Sequence, residues 1–309
     1  MSTPPPILQQ LHWDAATLRA DFPPLFHHRN KAVLDSIATA GGWRPSGTLV
    51  YTQLGPAPLP ATVNGGVARV DVRSCGYDYT PAGEGLADWF VNFADPALFF
   101  GYGTALFAQD EIMCAEHPIL GSLVQALRDA GANARTVGAR DEPTPVLVEG
   151  AERRLAVDLK VVPYGNDFQR ASADVLRAGT RVLDPAPRHR IIAMAAPSDG
   201  DGVYTLAELR HILHTAYTAF AGAVAATPGR ALAIHSGFWG CGVFGGNRVV
   251  MTLLQVIAAH AAGVRVYTHH CRPAAGMDAV NEALEIADEI LGDGTEAIDT
   301  DYVLAAVEA

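Results

Sequence analysis

Residues 231–246, ALAIHSGFWGCGVFGG, constrain the fold more than any other stretch of the chain. They open with apolar residues suited to a buried strand, turn at Ser236 and Gly237, and then place five glycines in ten residues. Residues 247–262 carry apolar side chains at helical spacing: Val250, Leu253, Leu254, Ile257, Ala258 and Ala261. The unit is therefore strand, glycine-rich loop, helix. Glycines let the backbone approach a ligand closely and adopt positive φ, and amides at the start of the helix face outward with a favourable dipole. Such a loop can hold a phosphate or diphosphate; tight helix-to-sheet packing uses glycine as well.

Composition narrows the setting. A chain of 309 residues suits one large α/β domain or a core with an accessory segment, and a hydrophobic fraction of 49% is ample for the core. The net charge of −11 argues against direct DNA or RNA binding, which needs a basic surface to neutralise phosphates. Basic residues are nearly all arginine. Cys75, Cys114, Cys241 and Cys271 form no CxxC pair and no short Cys/His spacing of a zinc site, so reduced thiols in a cytoplasmic protein without a bound metal are expected. The start, MSTPPPILQQ, lacks the parts of a secretory signal, and no apolar run reaches the length of about 18 residues that a membrane span needs. No membrane partner is expected.

In chain order, residues 7–40 read as two helices broken near Phe22-Pro23-Pro24-Leu25 and ended by Gly41-Gly42 and Pro45. Residues 1–45 are thus expected to form a helical accessory region packed on a core of residues 46–309. His12, His27 and His28 read as surface or packing residues, since no partner set has ligand spacing. Residues 47–53, 67–73 and 87–94 read as strands, with loops over 55–66 and 74–85. A helix starts within residues 95–111, DPALFFGYGTALFAQDE, and runs on through Ile112, Met113 and Ala115. Gln109, Asp110 and Glu111 fall at its start, where acidic residues commonly cap backbone amides. Residues 274–291 form an amphipathic helix, capped by Gly292 to Gly294 and followed by a short acidic tail.

Several ordered motifs resemble the poly(ADP-ribose) glycohydrolase family. Residues 237–246, GFWGCGVFGG, are similar to the family's second ligand loop, written close to GNWGCGAFGGD. The family's first loop reads FAN, four residues, a glycine trio, six to eight residues, then QEE; here Phe93-Ala94-Asp95 and Gln109-Asp110-Glu111 stand at matching spacing. VPYGNDF at 162–168, RIIAMAA at 190–196 and LAELRHILHTAYTAF at 206–220 resemble further family segments, so that the resemblance covers roughly residues 85–270.

The resemblance implies a macrodomain-like three-layer α/β/α fold with a central mixed sheet, joined to the helical accessory region. It implies hydrolysis of ribosyl O-glycosidic bonds in poly(ADP-ribose) or ADP-ribose on modified protein, without a cofactor. Glu111 would act as general acid and base, and Asp110 would hold ribose hydroxyls. Asp95 would contact the same ribose, while Gln109 and Tyr164 would contact adenine. Gly240, Cys241, Gly242, Val243, Phe244, Gly245 and Gly246 would embrace the diphosphate through backbone amides, with Phe238 and Trp239 as further substrate-binding residues. His270 falls where the family carries phenylalanine, Phe238 replaces asparagine, Asp95 replaces asparagine, and Asp110 replaces glutamate. Phe99, Phe100 and Gly101 fall on the glycine trio, so a shifted loop over Gly101, Tyr102 and Gly103 would supply the close approach. Two other readings stay open: a catalytically weak reader of ADP-ribose or a related nucleotide, and a hydrolase of another ribosyl substrate.

Overall fold

The computed structural model describes residues 3–308 apart from Val67, Cys75, residues 199–202, Arg272, Asp293 and Thr295, with backbone alone for residues 273–275 and 308. The chain begins with strand β1 (Ile7–Asp14), helices α1 (Ala15–Asp21) and α2 (Arg29–Ala38), and strands β2 (Thr48–Leu54), β3 (Thr62–Asn64), β4 (Arg69–Arg73) and β5 (Ala87–Ala94). Helices α3 (Gln109–Glu116) and α4 (Ile119–Asp129) lead to β6 (Val146–Glu152), β7 (Leu155–Val157), α5 (Ala173–Ala178), β8 (Thr180–Val182) and β9 (Arg188–Ala195). Then come α6 (Leu206–Ala225), β10 (Leu232–Gly237), α7 (Arg248–Ala262), β11 (Val266–His270), α8 (Pro273–Leu291), β12 (Ala297–Asp299) and α9 (Thr300–Glu308).

The main sheet has eight strands in the order β1-β2-β6-β9-β5-β10-β11-β4. β1, β2, β6 and β9 pair antiparallel, and β9, β5, β10, β11 and β4 pair parallel, so the sheet is mixed, as expected. The central strands are buried on both faces and read as nearly unbroken apolar runs, ADWFVNFA in β5 and IIAMA in β9. On one face Trp89, Ile192, Ile234 and Tyr267 pack with α6 and α7 through Phe220 and Leu254. On the other, Phe90, Val148 and Ile191 pack with α4 through Leu120 and Leu123. This is the three-layer α/β/α arrangement. A third cluster, with Leu34, Phe107, Phe168 and Leu176, ties α2 to the segment before α3 and to α5.

Two parts of the sequence reading need correction. Residues 7–14 are an edge strand, not the first turns of a helix: they pair with β2 from Asp14↔Thr48 to Ile7↔Leu54. Ile7, Leu8 and Leu11 suggest a helical period, but the backbone pairing with β2 decides the conformation, and the strand is only half covered. The helix begins after it, at Asp14, whose carboxylate accepts from Thr17 N at 2.8 Å. At the other end, the acidic tail is ordered as β12 and α9, and β12 pairs with β3 inside the segment read as loop. The start of the third strand, Val67, lies outside the described residues.

The parallel ladders set up the site. β5 and β9 stay paired to Ala94↔Ala195, whereas β5 and β10 pair only as far as Phe90↔His235. Beyond that point the sheet opens between β5 and β10 at their carboxyl ends, the position where open α/β sheets receive ligands.

Candidate active site

The opening between β5 and β10 is spanned by side chains. Gln109, the first residue of α3, accepts from Phe93 N at 2.7 Å and donates to Val91 O at 3.0 Å, so its amide substitutes for the missing neighbour strand. The Tyr77 hydroxyl lies within hydrogen-bonding distance of both Val91 O and His235 O and bridges the two strands below it. Gln109 thereby fixes the start of α3 at the carboxyl end of β5.

The next two residues are the paired acids. Asp110 and Glu111 are only 6% and 4% exposed, in a first helical turn whose dipole favours negative charge. One oxygen of Glu111, Oε2, accepts from Ala108 N at 2.9 Å, the backbone-capping role read as the plain alternative from the sequence. Among the described residues its other oxygen, Oε1, takes no hydrogen bond. Oε1 lies against Gly101, where a Cβ would overlap it. Asp110 Oδ1 accepts from Asn92 Nδ2 at 3.0 Å and from the Cys114 thiol at 3.6 Å. Burial, and then the charge of Glu111, push the Asp110 carboxyl up to about 7, against the opposing pull of those hydrogen bonds and of Lys31.

The expected glycine trio is replaced without crowding the acids. Phe99 takes φ +52°, the left-handed conformation that glycine adopts freely, and its ring is wholly buried in the core beneath α4. Phe100 turns outward and is 60% exposed. Gly101 and Gly103 then carry the close contacts, Gly101 with Glu111 and Gly103 with Leu25 O at 2.5 Å from a built Cβ.

The second loop leaves β10 on the opposite face of the same sheet end. Trp239 is fully buried and donates from Nε1 to Met194 O at 3.0 Å. Gly240 has φ +74°, and a Cβ there would stand 2.5 Å from the Ala196 side chain, so glycine is required. The loop thus crosses from β10 past β5 to the carboxyl end of β9. Gln255 of α7 anchors its start, donating to Gly237 O at 3.1 Å. The loop closes through Gly245 N to Gly242 O and Gly246 N to Gly240 O. Among the described residues the amides of Gly240, Gly242, Val243 and Phe244 take no such bond, and Gly242, Val243 and Gly245 face solvent. Asn247 then caps α7 by accepting from Val249 N and Val250 N.

The remaining predicted residues fall around these two loops. Tyr164 is 50% exposed and adjoins the start of α3, because Gly165 N donates to Phe107 O at 2.9 Å. Asp95 spends Oδ1 on Ala97 N at 2.8 Å. Tyr102 is buried, with its hydroxyl accepting from Leu25 N. Phe238 is partly buried, with the Arg248 guanidinium 5.0 Å from its ring. Cys241 is partly buried, and burial pushes its thiol up to about 12. His270 ends β11 and is 5% exposed; its Nε2 lies 3.1 Å from His235 Nδ1, and His235 Nε2 donates to Asp88 at 2.8 Å. Burial, then His235, push His270 down to about 4. Sequence reasoning missed Asn92 and Lys31, which approach Asp110 only through the tertiary fold, and Cys114, one helical turn farther along α3. Among the described residues no group of three or more His, Cys, Asp or Glu is placed to hold a metal, and no helix is long and apolar enough to cross a membrane.

Residues 146–275 match the family profile described as "Poly (ADP-ribose) glycohydrolase (PARG), Macro domain fold". That span holds the glycine loop, Tyr164 and His270 and stops short of α3. Among solved structures, poly(ADP-ribose) glycohydrolase from Thermomonospora curvata is 14% identical, with 90% of this chain and 85% of that chain covered and a TM-score of 0.49. The same enzyme bound to the inhibitor ADP-HPD is 14% identical, at 89% and 83% coverage and a TM-score of 0.47. Poly(ADP-ribose) glycohydrolase from Deinococcus radiodurans in complex with ADP-ribose is 14% identical, at 91% and 94% coverage and a TM-score of 0.44. No curated protein matches significantly. The resemblance to the poly(ADP-ribose) glycohydrolases read from the sequence is borne out by a match over residues 146–275.

Proposed function

We propose that the protein hydrolyses the ribosyl O-glycosidic bond of ADP-ribose carried on protein, singly or as polymer, with Glu111 as general acid and base. Glu111 Oε1 donates a proton to the leaving oxygen as its bond to the anomeric carbon breaks. The oxocarbenium-like centre is then attacked by water, whose proton returns to Glu111. Asp110 holds the ribose hydroxyls. The free amides of Gly240, Gly242, Val243 and Phe244 receive the diphosphate, and Tyr164 borders the adenine.

One observation supports this reading: a carboxylate oxygen and four amides without a hydrogen bond among the described residues lie at the carboxyl ends of the neighbouring strands β5, β9 and β10. The test is calorimetry with ADP-ribose beside a release assay on poly(ADP-ribosyl)ated protein, for wild type and Glu111→Gln. The variant is expected to bind within a few-fold of wild type and to lose release by ~100-fold or more. Equal release by both would remove Glu111 from the chemistry. Binding without release by wild type would make the protein a reader instead.

A second reading draws on Phe100. An exposed ring next in sequence to Gly101, at a glycine position of the resembling family, suits a ribosyl substrate whose leaving group is flat and apolar. It predicts that an aromatic ribosyl conjugate is cleaved faster than ADP-ribosylated protein, and that Phe100→Gly reverses the order.

A further inference from the structure

Lysine occurs at two positions, Lys31 and Lys160, and every other one of the 22 basic residues is arginine. Lys160 is exposed, whereas Lys31, on α2, is 2% exposed. A buried ammonium is costly unless it is paired, and an apolar side chain of similar length would fill the same slot. This one is placed with care. Its Nζ donates to Tyr102 O at 3.0 Å and to Gly101 O at 3.4 Å, and it lies 5.4 Å from the centre of the Phe107 ring and 5.8 Å from that of Phe168.

The titratable groups that face it come from two sides. Glu111, Cys114 and Asp110 approach from α3. Asp35 shares a small cavity with Lys31 and Cys114, and is itself held at 2.6 Å by Arg19 of α1. Burial pushes Lys31 down to about 8, with Glu111 the largest opposing influence.

The same accessory segment grips the loop at further points. Leu25 N donates to the Tyr102 hydroxyl at 2.9 Å, and the amides of His27 and His28 both donate to Gly103 O, at 2.9 and 3.1 Å. Residues 101–103 are therefore clamped from the accessory side. Because a Cβ on Gly101 would overlap Glu111 Oε1, any shift of that loop is a shift of the wall against the acid.

We propose that Lys31 is a positioning residue of the hydrolysis: from α2 it fixes Gly101 against Glu111 and stands as the counter-charge behind the paired carboxyls. The inference rests on the reading of Glu111 as the acid and base. It accounts for the choice of lysine in a chain that otherwise uses arginine. A compact ammonium fits between two rings and two carbonyls, where a planar guanidinium does not, and it can titrate near the working range.

Two measurements test it. With lysine labelled at Nζ with nitrogen-15, the protein has two such signals, and the buried one reports Lys31. Replacing Glu111 by Gln removes a negative neighbour, so the Lys31 midpoint is expected to fall by about one pH unit. In the release assay, Lys31→Met removes the positive neighbour of the acids, so both limbs of the pH profile are expected to move up by about one unit. Its kcat is expected to drop by ~10–100-fold with a smaller change in KM. Lys31→Arg keeps the charge but not the fit, so the profile is expected to return toward its wild-type position while kcat stays reduced. Absence of release by wild type would overturn the hydrolase reading and this role with it. Release by wild type, with the Lys31 midpoint unmoved in Glu111→Gln, overturns this inference alone. That measurement keeps Lys31 intact and decides the matter even where Lys31→Met does not fold.

Discussion

Phe99 carries two opposed demands. Its φ of +52° suits glycine, while its ring is wholly buried and fills core volume that glycine would leave empty. The left-handed conformation costs a non-glycine residue about 1–2 kcal/mol, and loss of a buried phenylalanine ring costs about 3–5 kcal/mol. The ring therefore wins. Phe99→Ala keeps the backbone cost and loses the ring, whereas Phe99→Gly loses the ring alone. Urea denaturation should rank Phe99→Gly above Phe99→Ala by ~1 kcal/mol; the reverse order would show that the backbone there is unstrained. Gly101 poses a sharper demand at the site. Gly101→Ala sets a methyl on the Glu111 carboxylate, and release of ADP-ribose is expected to fall by ~100-fold while ligand binding at the second loop persists.

Among the elements, α3 and α7 aim the two halves of the site from their first turns. Gln109→Ala leaves the Phe93 amide without a partner, an expected loss of about 1–3 kcal/mol in denaturant titration; Val91 O keeps the Tyr77 hydroxyl. Asn247→Ala removes the cap of α7 and should cost ~1 kcal/mol, with weaker ADP-ribose binding because the amide bed ends at that cap. These elements were legible in the sequence because their signals are local: a buried strand, a run of glycines and an apolar helical period are all contiguous. Residues 7–14 were not, since ILQQLHWD is half polar and becomes a strand only by pairing with β2. Nor were β12 and α9, whose partner β3 is a three-residue strand inside a proline-bearing stretch. At the site, Glu111 and the glycine loop could be read from adjacent residues. Lys31 and Asn92 could not, because their meeting with Asp110 depends on how α2 and β5 pack against α3.

Across the whole molecule, buried histidine sets the response to acid. Burial pushes His189 and His269 down to about 3 and His270 to about 4, and holds His117 well below its ordinary 6.5. The unfolded chain protonates these rings near 6.5 while the folded one does not. Their contribution to stability is thus complete above about pH 6.5 and is lost progressively as pH falls toward 3. Asp110 acts in the opposite sense: its contribution is complete below the ordinary value of 3.8 and is lost progressively as pH rises toward about 7. Burial also lowers His214 and His260 and raises Asp35 and Glu116, so six rings stand against three carboxyls; thermal midpoints measured from pH 8 to 4.5 should hold until about 6.5 and then drop, and a midpoint as high at 4.5 as at 7 would refute this. The bridge of Gln109 and Tyr77 between β5 and β10 has a consequence of its own. It makes the carboxyl end of the sheet a seam fastened by two side chains, next to a ladder that continues below it. Deuterium should enter the Phe93 amide sooner than the Phe90 amide, and a molecule filling the crevice should delay it by holding the seam shut.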